Sequence, residues 1–194
     1  GEQAKTITID SDLAKKIINY RIPIAHKGVN GNALIIGGSN DMIGAPILAA
    51  EAAVHSGAGK VTLGVPKVIK QVVQGRIIPE VMVTSVDDNK ALLEGRQVVA
   101  MGPGLGRTCD IPDLVDSIVD SYEGSLVLDA DALYALGHVG SVDKDALRDG
   151  DIGSVYTVER HLPYCVMTPH LGEFSRLIDL PIKWIERHYI TLAR

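Results

Sequence analysis

Val98-Val99-Ala100-Met101-Gly102-Pro103-Gly104-Leu105-Gly106-Arg107 sets an apolar run directly against a glycine-rich turn. The run 98–101 reads as a buried strand, and Leu114, Val115, Ile118, Val119 and Tyr122 beyond Pro112 have the spacing of an amphipathic helix. A strand that enters glycines and then a helix is where an α/β sheet brings backbone close to a ligand. Glycine has no Cβ, so it accepts positive φ and lets N–H groups approach an anion. Taken alone, Gly102, Gly104 and Gly106 equally describe a plain tight turn. Other loops on the same edge must favour one reading over the other.

Upstream, Asp10 or Ser11 can cap a short helix with Leu13, Ala14, Ile17 and Ile18 on its apolar side. The loop 21–31 holds His26-Lys27-Gly28, where His26 also suits a merely solvated position. The strand 33–36 ends in Gly37-Gly38-Ser39-Asn40-Asp41, and a helix begins near Gly44-Ala45-Pro46, with Pro46 expected at its first position. Ala45, Ala49, Ala50, Ala52 and Ala53 make that helix thin, and Gly57 fits its C-terminal cap. Its free N–H groups suit a phosphate or polar ligand; a structural helix offers the same groups. No Gly-Lys-Ser/Thr follows and no GxGxxG occurs, so neither a Walker loop nor the usual dinucleotide fingerprint is supported. Then come a strand at 60–65, a helix at 66–74, a strand at 81–84 and a short helix at 87–93 capped by Asp87.

Downstream, the strand 126–128 enters Asp129-Ala130-Asp131-Ala132-Leu133. Asp131 is expected to cap a turn of helix ended by Gly137, leaving Asp129 available. Two carboxylates there suit a hydrated Mg²⁺ or polar ligand groups, with capping as the rival role. Residues 137–163 are richer in Gly and Asp, with a short helical piece around 144–148. The strand 164–167 leads into Thr168-Pro169-His170-Leu171-Gly172-Glu173-Phe174. Thr168 is expected to cap, with Pro169 in the first turn and Leu171, Phe174 and Leu177 facing the core. His170 and Glu173, three apart, share one face near the helix's positive end, for a ligand or simply to complement the dipole. A last helix after Pro181 carries Ile182, Ile185, Tyr189 and Leu192.

Apolar strands alternating with helices predict a mostly parallel sheet covered on both faces, and right-handed crossovers then gather the four loops on one edge. The 194 residues fit one domain spanning 1–194, and at 46% hydrophobic but 4% aromatic the core should be aliphatic. A net charge of −5 without a basic run argues against nucleic acid or an anionic membrane. Glu51 interrupts the longest Ala-rich stretch, so no transmembrane helix is expected, and the polar start at 1–12 is unlike a signal peptide. Cys109 and Cys165 form no ligand spacing, which favours a reduced, cytoplasmic protein without structural zinc.

His26-Lys27-Gly28, Gly37-Gly38-Ser39, Gly44-Ala45-Pro46, Ser56-Gly57-Ala58-Gly59, Gly102-Pro103-Gly104-Leu105-Gly106, Leu128-Asp129-Ala130-Asp131-Ala132-Leu133 and Thr168-Pro169-His170-Leu171-Gly172-Glu173-Phe174 occur in one order. That set resembles the ADP/ATP-dependent NAD(P)H-hydrate dehydratases of the ribokinase-like superfamily, from about Ile22 onward. The resemblance implies a three-layer α/β/α ribokinase-like fold and a lyase of metabolite repair. Such enzymes phosphorylate the ring hydroxyl of hydrated NADH or NADPH from ADP or ATP, Mg²⁺ assisting, and phosphate elimination restores the nicotinamide. It places Ala45, Gly104 and His170 against the hydrated dinucleotide, and we add Gly38, Ser39, Gly102, Gly106, Asp129 and Asp131 as substrate-side candidates. Glu173 matches an acidic position near phosphates and Mg²⁺, where it would act through water. The resemblance further implies a homo-oligomer, as is common among such relatives. They also continue into a Gly-Asp turn that supplies the catalytic aspartate, and no counterpart occurs here, so the chain is expected to be C-terminally incomplete and to have little activity alone. A kinase of a vitamin-precursor alcohol shares the superfamily plan but not the combined motifs. An inactive assembly module, pairing through an open sheet edge, is the other alternative.

Overall fold

The computed structural model describes residues 9–17, 28, 30–86, 92–137, 140–142, 156–158, 162 and 164–192. The strands are β1 (Asn32–Ile36), β2 (Lys60–Val65), β3 (Val81–Ser85), β4 (Val98–Met101), β5 (Ser125–Leu128), β6 (Gly140–Val142), β7 (Tyr156–Val158) and β8 (Cys165–Met167). The helices are α1 (Ser11–Ile17), α2 (Gly44–His55), α3 (Lys70–Gln74), α4 (Ile111–Ser121), α5 (Ala130–Leu136), α6 (Leu171–Leu177) and α7 (Ile182–Leu192). Six strands form one parallel sheet in the order β3-β2-β1-β4-β5-β8, while β6 and β7 pair antiparallel on their own.

The strands are apolar runs because both faces of the sheet are covered. Along β1, Ala33 and Ile35 pack with Ile47 and Ala50 of α2 and Val73 of α3. Leu34 and Ile36 pack instead with Val115 and Ile118 of α4 and Leu133 of α5. Period-two alternation thus divides the core into two layers. The chain steps from β1 outward through β2 to β3, then returns to the other flank of β1 as β4 and steps away through β5 to β8. Strand order reverses between β1 and β4, and in open α/β sheets the crevice beyond such a reversal is where ligands bind.

The rim where the strands begin is pinned by Arg96. Its Nη1 donates to Asn32 Oδ1 and Thr62 Oγ1, each at 2.8 Å, and its Nε donates to the Leu92 carbonyl at 3.0 Å. The Tyr122 hydroxyl donates to the Arg96 carbonyl at 3.1 Å. Burial pulls the Arg96 guanidinium below its ordinary pKa, with Tyr122 opposing, and burial pushes the Tyr122 hydroxyl up.

Gly57 closes α2 as expected: it takes φ +99°, its N–H donates to the Val54 carbonyl, and the Ala58 N–H donates to the Ala53 carbonyl. Other expectations need correction. Pro46 is the third residue of α2, not the first. The segment at 66–74 divides into a 3₁₀ turn, Lys67–Ile69, and α3. Leu171 is 44% exposed rather than in the core, because it opens α6 and its side chain lies outside the packed stripe. The β6–β7 pair was not anticipated, since three-residue strands are too short to show a period. His26 and Lys27, the start of the helix expected at 87–93, the piece at 144–148 and the side chains of Tyr189 and Leu192 lie outside the described residues.

Candidate functional site

Four loops leave the C-terminal ends of β1, β4, β5 and β8, and hydrogen bonds continue the ladder into them. Gly102 N–H donates to the Ile36 carbonyl at 3.1 Å, Asp129 N–H to Met101 at 3.0 Å, and Thr168 N–H to Leu128 at 3.1 Å. Across the crevice, Gly38 N–H donates to the Pro103 carbonyl at 3.0 Å. Contact is closest at Gly102, which has φ +129°: a Cβ there would overlap the Asp129 carbonyl oxygen and lie 3.1 Å from Ala132 Cβ. At Gly104, with φ +66°, a Cβ would lie 2.8 Å from the Met42 carbonyl oxygen and 3.6 Å from Ala45 Cβ. At Gly102 and Gly104 neighbouring backbone therefore occupies the space of a side chain, whereas Gly106, at φ +80°, faces only the Ser39 side chain. Ser39 pairs with Met42 in an isolated bridge and flanks Gly106, and Ala45 stands exposed as the second residue of α2.

The Asp129-Ala130-Asp131 turn ties the flanking loops together. Asp129, not Asp131, occupies the N-cap of α5, and its side chain makes no capping bond. Its Oδ1 accepts instead from Thr168 Oγ1 at 2.8 Å. Ala130 then takes φ +47°, a left-handed conformation that is strained for a residue with a Cβ. The kink sends the two carboxylates to different neighbours. Asp131, 9% exposed, accepts Gly106 N–H on Oδ2 at 3.0 Å and Arg107 Nε on Oδ1 at 3.2 Å.

Past β8, His170 rather than Thr168 caps α6. Its Nδ1 accepts from the N–H groups of Gly172 at 3.0 Å and Glu173 at 3.4 Å, while Glu173 Oε2 accepts the His170 N–H at 2.9 Å. This is a reciprocal capping box with imidazole in place of a hydroxyl. Because Nδ1 accepts, the neutral ring carries its proton on Nε2, which lies 3.3 Å from Glu173 Oε1. The imidazole is 72% exposed and the carboxylate 15%.

The structure thus brings Gly38, Ser39, Ala45, Gly102, Gly104, Gly106, Asp129 and Asp131 into one run of touching loops, joined through Thr168 to the turn bearing His170 and Glu173. Arg107, Tyr134 and Arg176 were missed in the sequence. Both guanidinium carbons sit over the Tyr134 ring, at 4.1 Å for Arg107 and 3.9 Å for Arg176. The available signal was Arg107 directly after the glycines, and Arg176 three residues past Glu173. Among the described residues, every buried side-chain polar atom has a partner. Among the described residues, the acidic side chains of these loops are already engaged rather than gathered as direct ligands for a divalent cation. Asp129 is bonded to Thr168, Asp131 to Arg107 and Glu173 within its capping box. No three His, Cys, Asp or Glu among the described residues converge as a ligand set.

A family model described as NAD(P)H-hydrate dehydratase matches residues 33–194. A bifunctional NAD(P)H-hydrate repair enzyme of Dictyoglomus turgidum is 34% identical over 200 residues, covering 96% of this chain and 35% of that protein. Its counterpart in Vibrio cholerae is 32% identical over 192 residues, covering 97% and 34%. The chain spans about a third of the length of these curated relatives. Among solved structures, an ADP/ATP-dependent NAD(P)H-hydrate dehydratase from Bacillus subtilis, co-crystallised with ATP and Mg²⁺, matches with a TM-score of 0.70 at 28% identity, over 92% of this chain and 57% of that one. A hypothetical protein from Streptococcus mutans matches with a TM-score of 0.74 at 31% identity, over 96% and 64%. Among the described residues, no helix is long and apolar enough to cross a membrane.

Proposed function

The chain belongs to the NAD(P)H-hydrate dehydratase family, and on that premise we propose that it serves the ADP- or ATP-dependent repair of hydrated NADH or NADPH, its crevice between β1 and β4 holding the hydrate. The observation that carries this reading is the interlock of the two glycine loops where strand order reverses. Gly38, Gly102 and Gly106 commit their N–H groups to bonds within the chain, so what the glycines supply is close approach of backbone to a ligand in the crevice, without intervening Cβ atoms. Ala45 and Gly104 flank the dinucleotide, with Gly38, Ser39, Gly102 and Gly106 shaping the loops around it. His170, the most exposed polar ring of the turn, meets it from the β8 side. Asp129 and Asp131 act from behind, holding these loops rather than touching the hydrate.

In the reaction, the hydroxyl oxygen of the hydrated ring takes the terminal phosphoryl group of ADP or ATP and gives up its proton. The C–O bond then breaks, phosphate leaves, and a ring proton is lost as the double bond re-forms. The product is NADH or NADPH with AMP or ADP and inorganic phosphate. Binding in a fixed crevice supplies positioning, which is most of what phosphoryl transfer requires of a protein. Glu173 stands beside the phosphates, where its carboxylate would orient the water around a cation that offsets phosphate charge.

Calorimetric titration of the purified chain with NADPH hydrate tests the ligand, and recovery of absorbance at 340 nm with ADP or ATP tests turnover. Saturable binding that Gly104→Val removes supports the assignment. Failure of the hydrate to bind the folded chain refutes it.

A further inference from the structure

The Asp131 carboxylate does not cap its own helix, and that is the first sign of a separate device. It reaches back from α5 to the β4 loop, taking Gly106 N–H at 3.0 Å and Arg107 Nε at 3.2 Å. Arg107, whose side chain is 61% exposed, lies 4.1 Å from the Tyr134 ring centroid. Arg176 lies 3.9 Å from the same centroid and donates Nη2 to the Leu133 carbonyl at 3.0 Å. Side-chain contacts thus run from Gly106 through Asp131, Arg107 and Tyr134 to Arg176 on α6, the helix that carries Glu173 and is capped by His170.

We propose that Arg107, Tyr134 and Arg176 are positioning residues that lock the β4 glycine loop to α6, so that the β4 side of the crevice and the β8 turn bearing His170 hold a fixed spacing. The inference rests on the reading of that crevice as the hydrate site. Two observations favour a coupling role over a simple surface ornament. The ring that both cations share is itself 44% exposed, so hydrophobic burial does not account for the arrangement. Each cation also has a second anchor on backbone or carboxylate, Arg107 on Asp131 and Arg176 on Leu133, which fixes its position over the ring. A cation over an aromatic face is attracted by the ring quadrupole and needs no hydroxyl. The Tyr134 ring face, not its phenol oxygen, is therefore the joint.

The test compares Arg176→Ala, Tyr134→Leu and Tyr134→Phe. Hydrogen exchange of the Gly106 amide is read by NMR under native conditions, and NADPH-hydrate affinity by calorimetry. Arg176 does not touch Gly106, so a merely local role would leave that amide unchanged. The expected result is exchange about fivefold faster in Arg176→Ala and Tyr134→Leu, and near wild type in Tyr134→Phe, with hydrate affinity falling in the same order. Gly106 exchange that ignores Arg176→Ala while the variant stays folded overturns the proposal. So does a Phe variant as impaired as the Leu variant, because the joint would then be the hydroxyl. Faster Gly106 exchange in a chain that binds no hydrate keeps the coupling and refutes the ligand reading instead.

Discussion

Replacing Gly102 by alanine places one methyl group at the tightest of the glycine contacts among the described residues. The new Cβ overlaps the Asp129 carbonyl oxygen and stands 2.7 Å from the Asp129 carbonyl carbon and 3.1 Å from Ala132 Cβ. None of these can yield cheaply, since two are backbone atoms and Ala132 is fully buried. The residue must also hold φ +129° with a side chain attached, at a cost of about 1–3 kcal/mol. Forcing the β4 and β5 loops apart adds overpacking of about 1–3 kcal/mol. It also strains the bonds from Gly102 N–H to Ile36 and from Asp129 N–H to Met101, each worth about 1 kcal/mol. These terms overlap, so we expect a total of about 4 kcal/mol, a large part of a domain's stability. At this chain length that lowers the melting temperature by about 10 °C. Thermal unfolding followed by circular dichroism measures it against Gly44→Ala, whose Cβ meets nothing within 4 Å and which should gain up to about 1 kcal/mol. A Gly102→Ala protein melting within about 2 °C of the parent would refute the claim that the two loops are packed backbone to backbone.

At Ala130, where φ is +47°, Ala130→Gly relieves left-handed strain and should stabilise by about 0.5 kcal/mol, whereas Ala132→Gly in the same helix should cost about 1 kcal/mol or more. Melting shifts of the same sign for both would dismiss the strain. Tyr122→Phe leaves the Arg96 carbonyl without its hydroxyl donor and should cost about 1 kcal/mol by urea unfolding. Because burial raises the Tyr122 pKa in the folded chain, the contribution of that group is full below its ordinary value and fades as pH rises through the raised one. The gap between parent and variant should accordingly narrow in alkali, and a gap that widens there reverses the argument. Finally, a disulfide reagent at pH 8 should modify exposed Cys109 quickly and Cys165 slowly, since burial pushes the Cys165 thiol up and leaves less thiolate. Cys109→Ser should abolish the fast phase, and persistence of that phase would contradict the burial.

The legible parts of this chain were those governed by neighbours in sequence. Runs such as 33–36 and 98–101 announce strands because a sheet covered on both sides needs no alternation, and Gly57 announces a helix end because only a residue without a Cβ fits there easily. The loops of the crevice were found for the same reason. What they do to one another was not. Asp131 looks like a cap because capping is a local preference, but its partners, Gly106 and Arg107, come from the preceding loop. His170 escaped as a cap because an imidazole serves only in the tautomer that leaves Nδ1 open. Arg107, Tyr134 and Arg176 lie on three different elements, so no window along the chain contains the stack they form.

For anyone modifying this chain, the two ends of the sheet present different constraints. Where the strands start, Asn32, Thr62, Leu92 and Tyr122 are knotted by hydrogen bonds around one guanidinium. At the opposite end lie the loops of the proposed hydrate crevice, where Gly102 is already packed against Asp129. Changes around Arg96 are therefore made at the far end of the sheet from the crevice, whereas under the proposed reading altered selectivity would have to come from exposed side chains at its opening, such as Ala45 and His170.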